Sequence, residues 1–319
     1  MKHLGEQLHL NLQCKPFTLL LGNSRVDMTA LPRAFAKGRG ATAENGRYLQ
    51  LQVRPDWMDS SDLIGWLNLE GTFIPGAVVD FFKAAHDDPG NEYFLCLDGI
   101  ILSRAEYYLR DLLTAVELRG EGECKPYVPK AYFGRDEEAL RKYGVIPPLK
   151  NLFMVGTVNL DETSLPLNQR FLDRVHTMSV TETVEEIKIP QSDLSTLYYR
   201  LDQWEDEQVL DAYIQEFEKV NKILMQATSY LGFKIRNEGI LYLLHNRATG
   251  LLPEKVAMDH VLSQKVLPRI QGAAKMIQPM LETFLEYCKA GGYTQTGEKA
   301  EKMLQSCLVS GYCSCWETE

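Results

Sequence analysis

Four apolar runs of strand length constrain this chain more than any other feature. They are Phe17-Thr18-Leu19-Leu20-Leu21, Tyr48-Leu49-Gln50-Leu51-Gln52-Val53, Tyr93-Phe94-Leu95-Cys96-Leu97 and Leu152-Phe153-Met154-Val155-Gly156-Thr157-Val158. Three are nearly continuous, the pattern of strands covered on both faces. Between them, residues 31–37, 77–85 and 105–119 repeat apolar side chains three and four apart. Strand and helix therefore alternate, which implies crossover connections and a mainly parallel α/β sheet of about five strands. After Ile189 the strand signal stops. A helical tract is expected from Asp193 through Tyr199, and 207–230, 238–245, 258–267, 273–290 and 298–308 carry helical spacing, the last ending before Gly311. The chain thus divides into an α/β domain over 1–187 and an all-helical one over 188–319. Residues 120–150, rich in Gly, Pro, Tyr and charge, read as an insertion or long hairpin.

Composition narrows the setting. No stretch reaches eighteen apolar residues and the start is neither basic nor apolar, so neither a membrane span nor a secretory signal is expected, and the chain reads as cytoplasmic. Its 34 basic and 43 acidic residues leave a formal charge of −9, which argues against a surface built throughout to grip phosphate backbones. Seven scattered cysteines, at 14, 96, 124, 288, 307, 313 and 315, fit free thiols in a reducing compartment better than a disulfide framework. The first core run begins close enough to Met1 that the sequence is compatible with a piece of a longer protein.

The segment most open to a chemical reading is Gly22-Asn23-Ser24-Arg25-Val26-Asp27-Met28-Thr29, directly after the first run, with a helix expected from about Ala30. Strand, loop and helix is the setting in which glycines let backbone N–H groups wrap a phosphate while a lysine reaches its outer oxygens. Gly22 and Thr29 stand at the two ends, but Asp27 and Met28 occupy positions where that motif needs Gly and Lys. Asp98 closes the third run, where a carboxylate would hold magnesium through its water shell. Asn159 closes the fourth, at the same crevice. Arg174, in Phe171-Leu172-Asp173-Arg174, stands where an arginine would reach a neighbouring subunit's nucleotide. The plainer alternatives are turn residues for Asp98 and Asn159 and a solvated charge for Arg174.

Three further segments complete the pattern: Arg54-Pro55-Asp56-Trp57-Met58-Asp59-Ser60-Ser61-Asp62-Leu63-Ile64-Gly65, then Val155 to Thr163 with the sequence Val-Gly-Thr-Val-Asn-Leu-Asp-Glu-Thr, and Gln264-Lys265-Val266-Leu267-Pro268-Arg269-Ile270-Gln271-Gly272. With the loop and strand ends they resemble the McrB-like branch of the AAA+ ring ATPases and GTPases, related to the dynein-type AAA group, over nearly the whole chain. The resemblance implies a P-loop-type αβα sandwich followed by a helical lid. It implies Mg-ATP or Mg-GTP held by Gly22, Ser24, Arg25, Thr29 and, from the lid, the sensor-2-like Arg236, with magnesium at Thr29 and Asp98. It further implies Asp98, Asn159 and Arg174 as catalytic residues, ring neighbours, and a nuclease-type partner in a restriction or anti-phage defence assembly.

Departures from the family change that expectation. Members carry Gly, Gly and Lys where this chain has Arg25, Asp27 and Met28, Glu where it has Gly99, and Met-Asn in place of Ile100-Ile101. Without the lysine, Asp27 faces the phosphates uncompensated, and two unit charges about 4 Å apart repel by roughly 4 kcal/mol at an effective dielectric of 20. Gly99 removes the carboxylate that would orient and deprotonate water. Nucleotide binding is expected to be weak or absent, and a non-catalytic or regulatory ring subunit is the leading reading. The alternatives are a residually active Mg-dependent ATPase or GTPase, with Thr29, Asp98 and Asn159 holding the nucleotide and Arg25 replacing the lysine, or a monomeric adaptor. Other signals lead nowhere chemical: Cys313-Ser314-Cys315 with Cys307 lacks a second pair and a histidine, the six histidines form no ligand spacing, and no Gly-x-Ser-x-Gly elbow, nuclease motif or methylated-base reader is present. Trp57 and Trp66 are expected to pack at a strand-to-helix joint.

Overall fold

The structure is a computed structural model describing residues 3–117, 126–144, 146–160, 169–181, 187–195, 200–227 and 229–315. Residues 161–163 of the expected signature loop, 196–199 of the expected helical tract, and 118–125 and 145 in and beside the expected insertion lie outside them. Along the chain run α1 (Leu4–Cys14), β1 (Phe17–Gly22), α2 (Ala30–Gly38), β2 (Tyr48–Gln52), α3 (Ser61–Ile64), β3 (Gly65–Leu67), β4 (Phe73–Pro75), α4 (Val79–Asp87), β5 (Tyr93–Asp98), α5 (Ala105–Tyr108), α6 (Arg110–Glu117) and α7 (Glu137–Tyr143). There follow β6 (Leu152–Asn159), α8 (Gln169–Leu172), β7 (His176–Ser179), α9 (Glu207–Leu224), α10 (Phe233–Thr249), α11 (Glu254–Val261), β8 (Gln271–Ala273), α12 (Ala274–Gly291), α13 (Thr294–Ser310) and β9 (Tyr312–Ser314).

A five-stranded sheet in the order β2-β5-β6-β1-β7 meets the α/β expectation, with β2, β5, β6 and β1 paired in parallel. The connection from β1 to β2 steps across the sheet one way and that from β2 to β5 steps back, so right-handed crossovers carry α2 and α4 over opposite faces. This is why β1 is buried at every residue and β6 at all but its last. Two compact units result: Pro16–Val175 with Glu182–Ile189, and Met1–Lys15 with His176–Thr181 and Pro190–Glu319. No helix among the described residues is long and apolar enough to cross a membrane.

Within the α/β unit, Gly156 sits at the centre of the sheet opposite Leu19 of β1 and Leu97 of β5. A Cβ there would come within 1.9 Å of Ile100 Cδ1, so glycine lets the turn after β5 lie against the sheet. Trp57 packs edge-on to Tyr108 with ring centroids 5.4 Å apart and is buried, as expected, whereas Trp66 on β3 is 51% exposed.

The helical unit gathers one apolar core from α9 through α13, including Phe217, Leu244, Leu262 and Phe284. Its departures from expectation are instructive. The helix α1 was not foreseen because Leu8, Leu10 and Leu12 alternate with Gln7, His9, Asn11 and Gln13, a period of two; tertiary burial of every residue from Gly5 to Gln13 overrides it. Residues 193–195 are not helical: Asp193 Oδ1 instead accepts the Ser195 N–H at 2.8 Å, a local turn that competes with helix. The unit also contains a short antiparallel pair, β8 with β9, whose three-residue strands are too brief to leave a periodic signal. At its base Cys307 and Cys313 form a disulfide, correcting the free-thiol expectation for these two. Gly311, left-handed at φ 77°, turns the chain back from α13 so that their Cα atoms lie 4.5 Å apart.

A buried ion triad crosses the same unit. Lys15 Nζ lies 2.7 Å from Glu238 Oε1 and Lys265 Nζ 2.9 Å from Glu238 Oε2. Burial pushes the Glu238 carboxyl upward, but the two ammonium groups prevail and hold it down at about 2.

Two stability measurements follow. Gly156→Ala should destabilise the fold by about 1–3 kcal/mol in urea unfolding, while Gly90→Ala, where a Cβ meets nothing within 4 Å, should stay within about 0.5 kcal/mol of wild type. Glu238→Gln should cost about 3–5 kcal/mol by removing the carboxylate that the buried Lys15 and Lys265 share. Because the folded pKa of Glu238 is depressed, the carboxylate's contribution to that difference shrinks as pH falls from the ordinary carboxylate range toward 2, and burial, which draws Lys15 down to about 7, weakens the pair again as pH rises through neutrality.

Candidate functional site

Parallel register decides which side chains share one end of the sheet. Gly22 at the end of β1 stands opposite Asn159 at the end of β6, and Asp98 at the end of β5 opposite Gln52. Leu160 N–H donates to Gly22 O at 2.8 Å, tying the chain leaving β6 to the chain leaving β1. Ligands of open α/β sheets bind at such carboxyl ends. The structure therefore brings Gly22, Asp98 and Asn159 to one edge, with loop 22–29 running from there into α2.

Two side chains close that loop on itself. Asn23 Oδ1 accepts the Arg25 N–H at 3.0 Å and Asn23 O the Val26 N–H at 3.1 Å, forming an Asx turn. Asp27 does more. Its Oδ1 accepts the N–H groups of Thr29 at 3.1 Å and Ala30 at 3.2 Å and the Thr29 hydroxyl at 2.7 Å, while Arg33 Nη2 donates to Oδ2 at 3.2 Å. Unpaired N–H groups at the positive end of a helix are the donors that hold phosphate in such loops. Here the Asp27 carboxylate takes the Ala30 N–H, the first of the helix, and the Thr29 N–H just before it. The Thr29 hydroxyl is the main cause that draws the Asp27 pKa below its ordinary value; burial opposes it, and Arg33 with the two N–H groups adds to it. A phosphate entering the loop would have to displace this carboxylate.

The neighbouring positions fit the same arrangement. Met28, in the lysine position, is 4% exposed and sends its thioether into the core rather than toward solvent. Arg25 and Ser24 are exposed on the loop. At the end of β5, Asp98 Oδ1 accepts the Thr157 hydroxyl at 2.5 Å, and Thr157 Oγ1 accepts the Gly99 N–H at 2.9 Å. Gly99 is left-handed, with φ 72°, and a Cβ there would come within 2.8 Å of Leu102 Cδ1. Any glutamate at this position would carry roughly 1–2 kcal/mol of backbone strain and move Leu102. Both groups expected to reach magnesium, Thr29 and Asp98, are thus hydrogen-bonded within the chain. Among the described residues no group of three His, Cys, Asp or Glu is placed to hold a metal ion.

Arg174 is half-buried just after α8, its N–H donating to Phe171 O at 2.9 Å. Arg236 lies on α10 in the helical unit, where its guanidinium donates to Asn237 Oδ1 at 3.1 and 3.2 Å and covers the Phe233 ring at 5.0 Å. Sequence reasoning missed Thr157 as a participant and the hydrogen bonds of Asp27. Thr157 was legible as the residue two before Asn159 on one face of a strand, and Asp27 as an acid just ahead of a helix start, the usual place of a capping carboxylate.

A family model for a domain of unknown function (DUF8727) matches residues 185–312, less than half of the chain. No curated protein matches it. Among solved structures the chain is similar to a Cytophaga hutchinsonii protein assigned as an ATPase, at 15% identity over 83% of this chain and 81% of that one, with a TM-score of 0.42. It is also similar to PCH-2 of C. elegans, at 14% identity over 81% and 60%, TM-score 0.25, and to the Hef helicase domain of Pyrococcus furiosus, at 12% identity over 97% and 68%, TM-score 0.26.

Asp27→Asn keeps the side chain's shape but removes its charge from the helix end. Since the native pKa is depressed, the wild-type advantage is full above the ordinary carboxylate value and fades as pH drops through the lowered one. Urea unfolding of both proteins from about pH 7 to about pH 3 should show curves separated at neutrality and converging in acid.

Proposed function

We propose that the chain is a McrB-like AAA+ module with a degenerate nucleotide site, working as a non-catalytic or regulatory ring subunit of a restriction or anti-phage defence assembly. In this reading an α/β module over 1–187 is followed by a helical lid over 188–319. The observation that carries it is the Asp27 carboxylate bonded to the N–H groups of Thr29 and Ala30. A triphosphate would meet like charge where such loops present bare donors, and Met28 supplies no cation to offset it. The left-handed Gly99 leaves no carboxylate to activate water. Gly22, Ser24, Arg25, Thr29 and Arg236 are then remnants of a nucleotide cradle, and Thr29 and Asp98 of a magnesium site, that the chain no longer uses.

What such a subunit keeps is its place in an assembly. Asp98 and Asn159 are vestigial, while Arg174 serves in trans at a ring neighbour's nucleotide, and a nuclease-type partner supplies the cleavage that this sequence lacks.

Titration with fluorescent ATP and GTP analogues in magnesium tests the reading. We expect no saturable binding below about 1 mM and no turnover above a Gly22→Asp control. Micromolar affinity with turnover beyond that control would defeat it.

A further inference from the structure

Three of the seven cysteines meet at one corner of the helical unit. Cys307, near the end of α13, is bonded to Cys313 on β9, and both are fully buried. Cys315, just beyond β9, stays outside that bond and is partly exposed. Side chains two apart along a strand share a face. Cys313 and Cys315 accordingly both pack on the apolar core that holds Cys307. Thiol–disulfide exchange requires access for the attacking sulfur. A disulfide sealed from solvent meets that requirement through a thiol of its own chain, and Cys315 is the one carried on the same strand.

The pairing of β9 leaves room for such an exchange. Three residue pairs hold it on β8: Gln271 with Ser314, Gly272 with Cys313 and Ala273 with Tyr312. A slip of one residue would turn the other face of β9 inward, whereas a slip of two, about 7 Å, keeps the same face in. Cys315 would then stand where Cys313 stands, opposite Gly272, which has no side chain to obstruct it. Ser314 would stand opposite Ala273. The two residues displaced pass into the turn from Leu308 to Gly311, where Leu308 and Val309 are 62% and 91% exposed and a Cβ on Gly311 would meet nothing within 4 Å. A turn this open has space to lengthen.

We propose that the disulfide is a two-position clasp in which Cys307 bonds either Cys313 or Cys315, with β9 slipping two residues along β8 between the two. In the exchange the Cys315 thiolate attacks Cys307 Sγ. The Cys307–Cys315 bond forms as Cys307–Cys313 breaks, and Cys313 leaves as a thiolate that takes up the proton Cys315 gave up. One disulfide and one thiol stand on each side, so no oxidant or reductant is consumed. The second position draws Tyr312 off β8 into the enlarged turn with Leu308 and Val309, which widens an exposed apolar tip. This device belongs to the helical unit and does not depend on the nucleotide reading above.

The full chain, prepared without reductant, is held at mildly alkaline pH, where thiolate attack is faster, and then capped with maleimide in denaturant just below neutrality to stop exchange. After reduction the released cysteines are capped with iodoacetamide. Fragment masses of the tryptic peptide beginning at Met303, which carries all three cysteines, place each label. Cys307 should prove bonded in every chain, with maleimide divided between Cys315 and Cys313 and the Cys313 label present in about 1% of chains or more. Cys315→Ser should abolish the Cys313 label. Cys313→Ser, with oxidised glutathione as oxidant, should form the Cys307–Cys315 bond and keep the β8 amides protected from hydrogen exchange, a thermal melt verifying that it folds. Maleimide on Cys315 alone at every time, a Cys313–Cys315 bond, or three capped thiols in the wild type would overturn the proposal. So would a folded Cys313→Ser variant with both thiols capped or with β8 unprotected.

Discussion

The carboxylate of Asp27 at the start of α2 is the contact on which the rest of the account depends. A helix begins with N–H groups that have no partner within it, and their aligned dipoles favour a negative charge nearby. In phosphate-binding loops that charge comes from the ligand. Here the chain provides it two residues before Thr29, and the Thr29 hydroxyl and the Arg33 guanidinium close around the same group. A loop satisfied in this way holds its shape without a ligand. Asn23 reinforces it from the other end with its own turn.

The surrounding sheet sets where that loop lies. Strands β1, β5 and β6 keep the parallel register that lines up Gly22, Asp98 and Asn159, and Gly156 keeps Ile100 against the sheet. The polar strand ends are engaged within the chain: Asp98 accepts the Thr157 hydroxyl, and Gly99 adopts a left-handed turn that a side chain would strain. Scaffold and site are therefore separable. The helical unit has its own ionic centre in Lys15, Glu238 and Lys265, where one carboxylate holds two buried ammonium groups. A buried triad of this kind is weak evidence for extra stability but strong evidence that losing one member is costly.

Much of the α/β architecture was legible because continuous apolar runs and helical spacing leave strong periodic marks; the four named runs became β1, β2, β5 and β6 within a residue or so. The rest was hidden for physical reasons. In α1, buried polar residues at Gln7, His9, Asn11 and Gln13 erase the helical signal. The strands β8 and β9 are too short to show a period, and the pairing of Cys307 with Cys313 depends on the turn at Gly311 rather than on spacing. For the site, sequence identified Asp27 as a charge out of place but not as the acceptor of the Thr29 and Ala30 N–H groups.

Crystals of the full chain soaked with a slowly cleaved triphosphate analogue and magnesium test the central claim most directly. The account predicts no triphosphate density against residues 22–29, with Asp27 still bonded to the N–H groups of Thr29 and Ala30. Clear triphosphate density in the loop, with the Asp27 carboxylate swung away from α2, would contradict it.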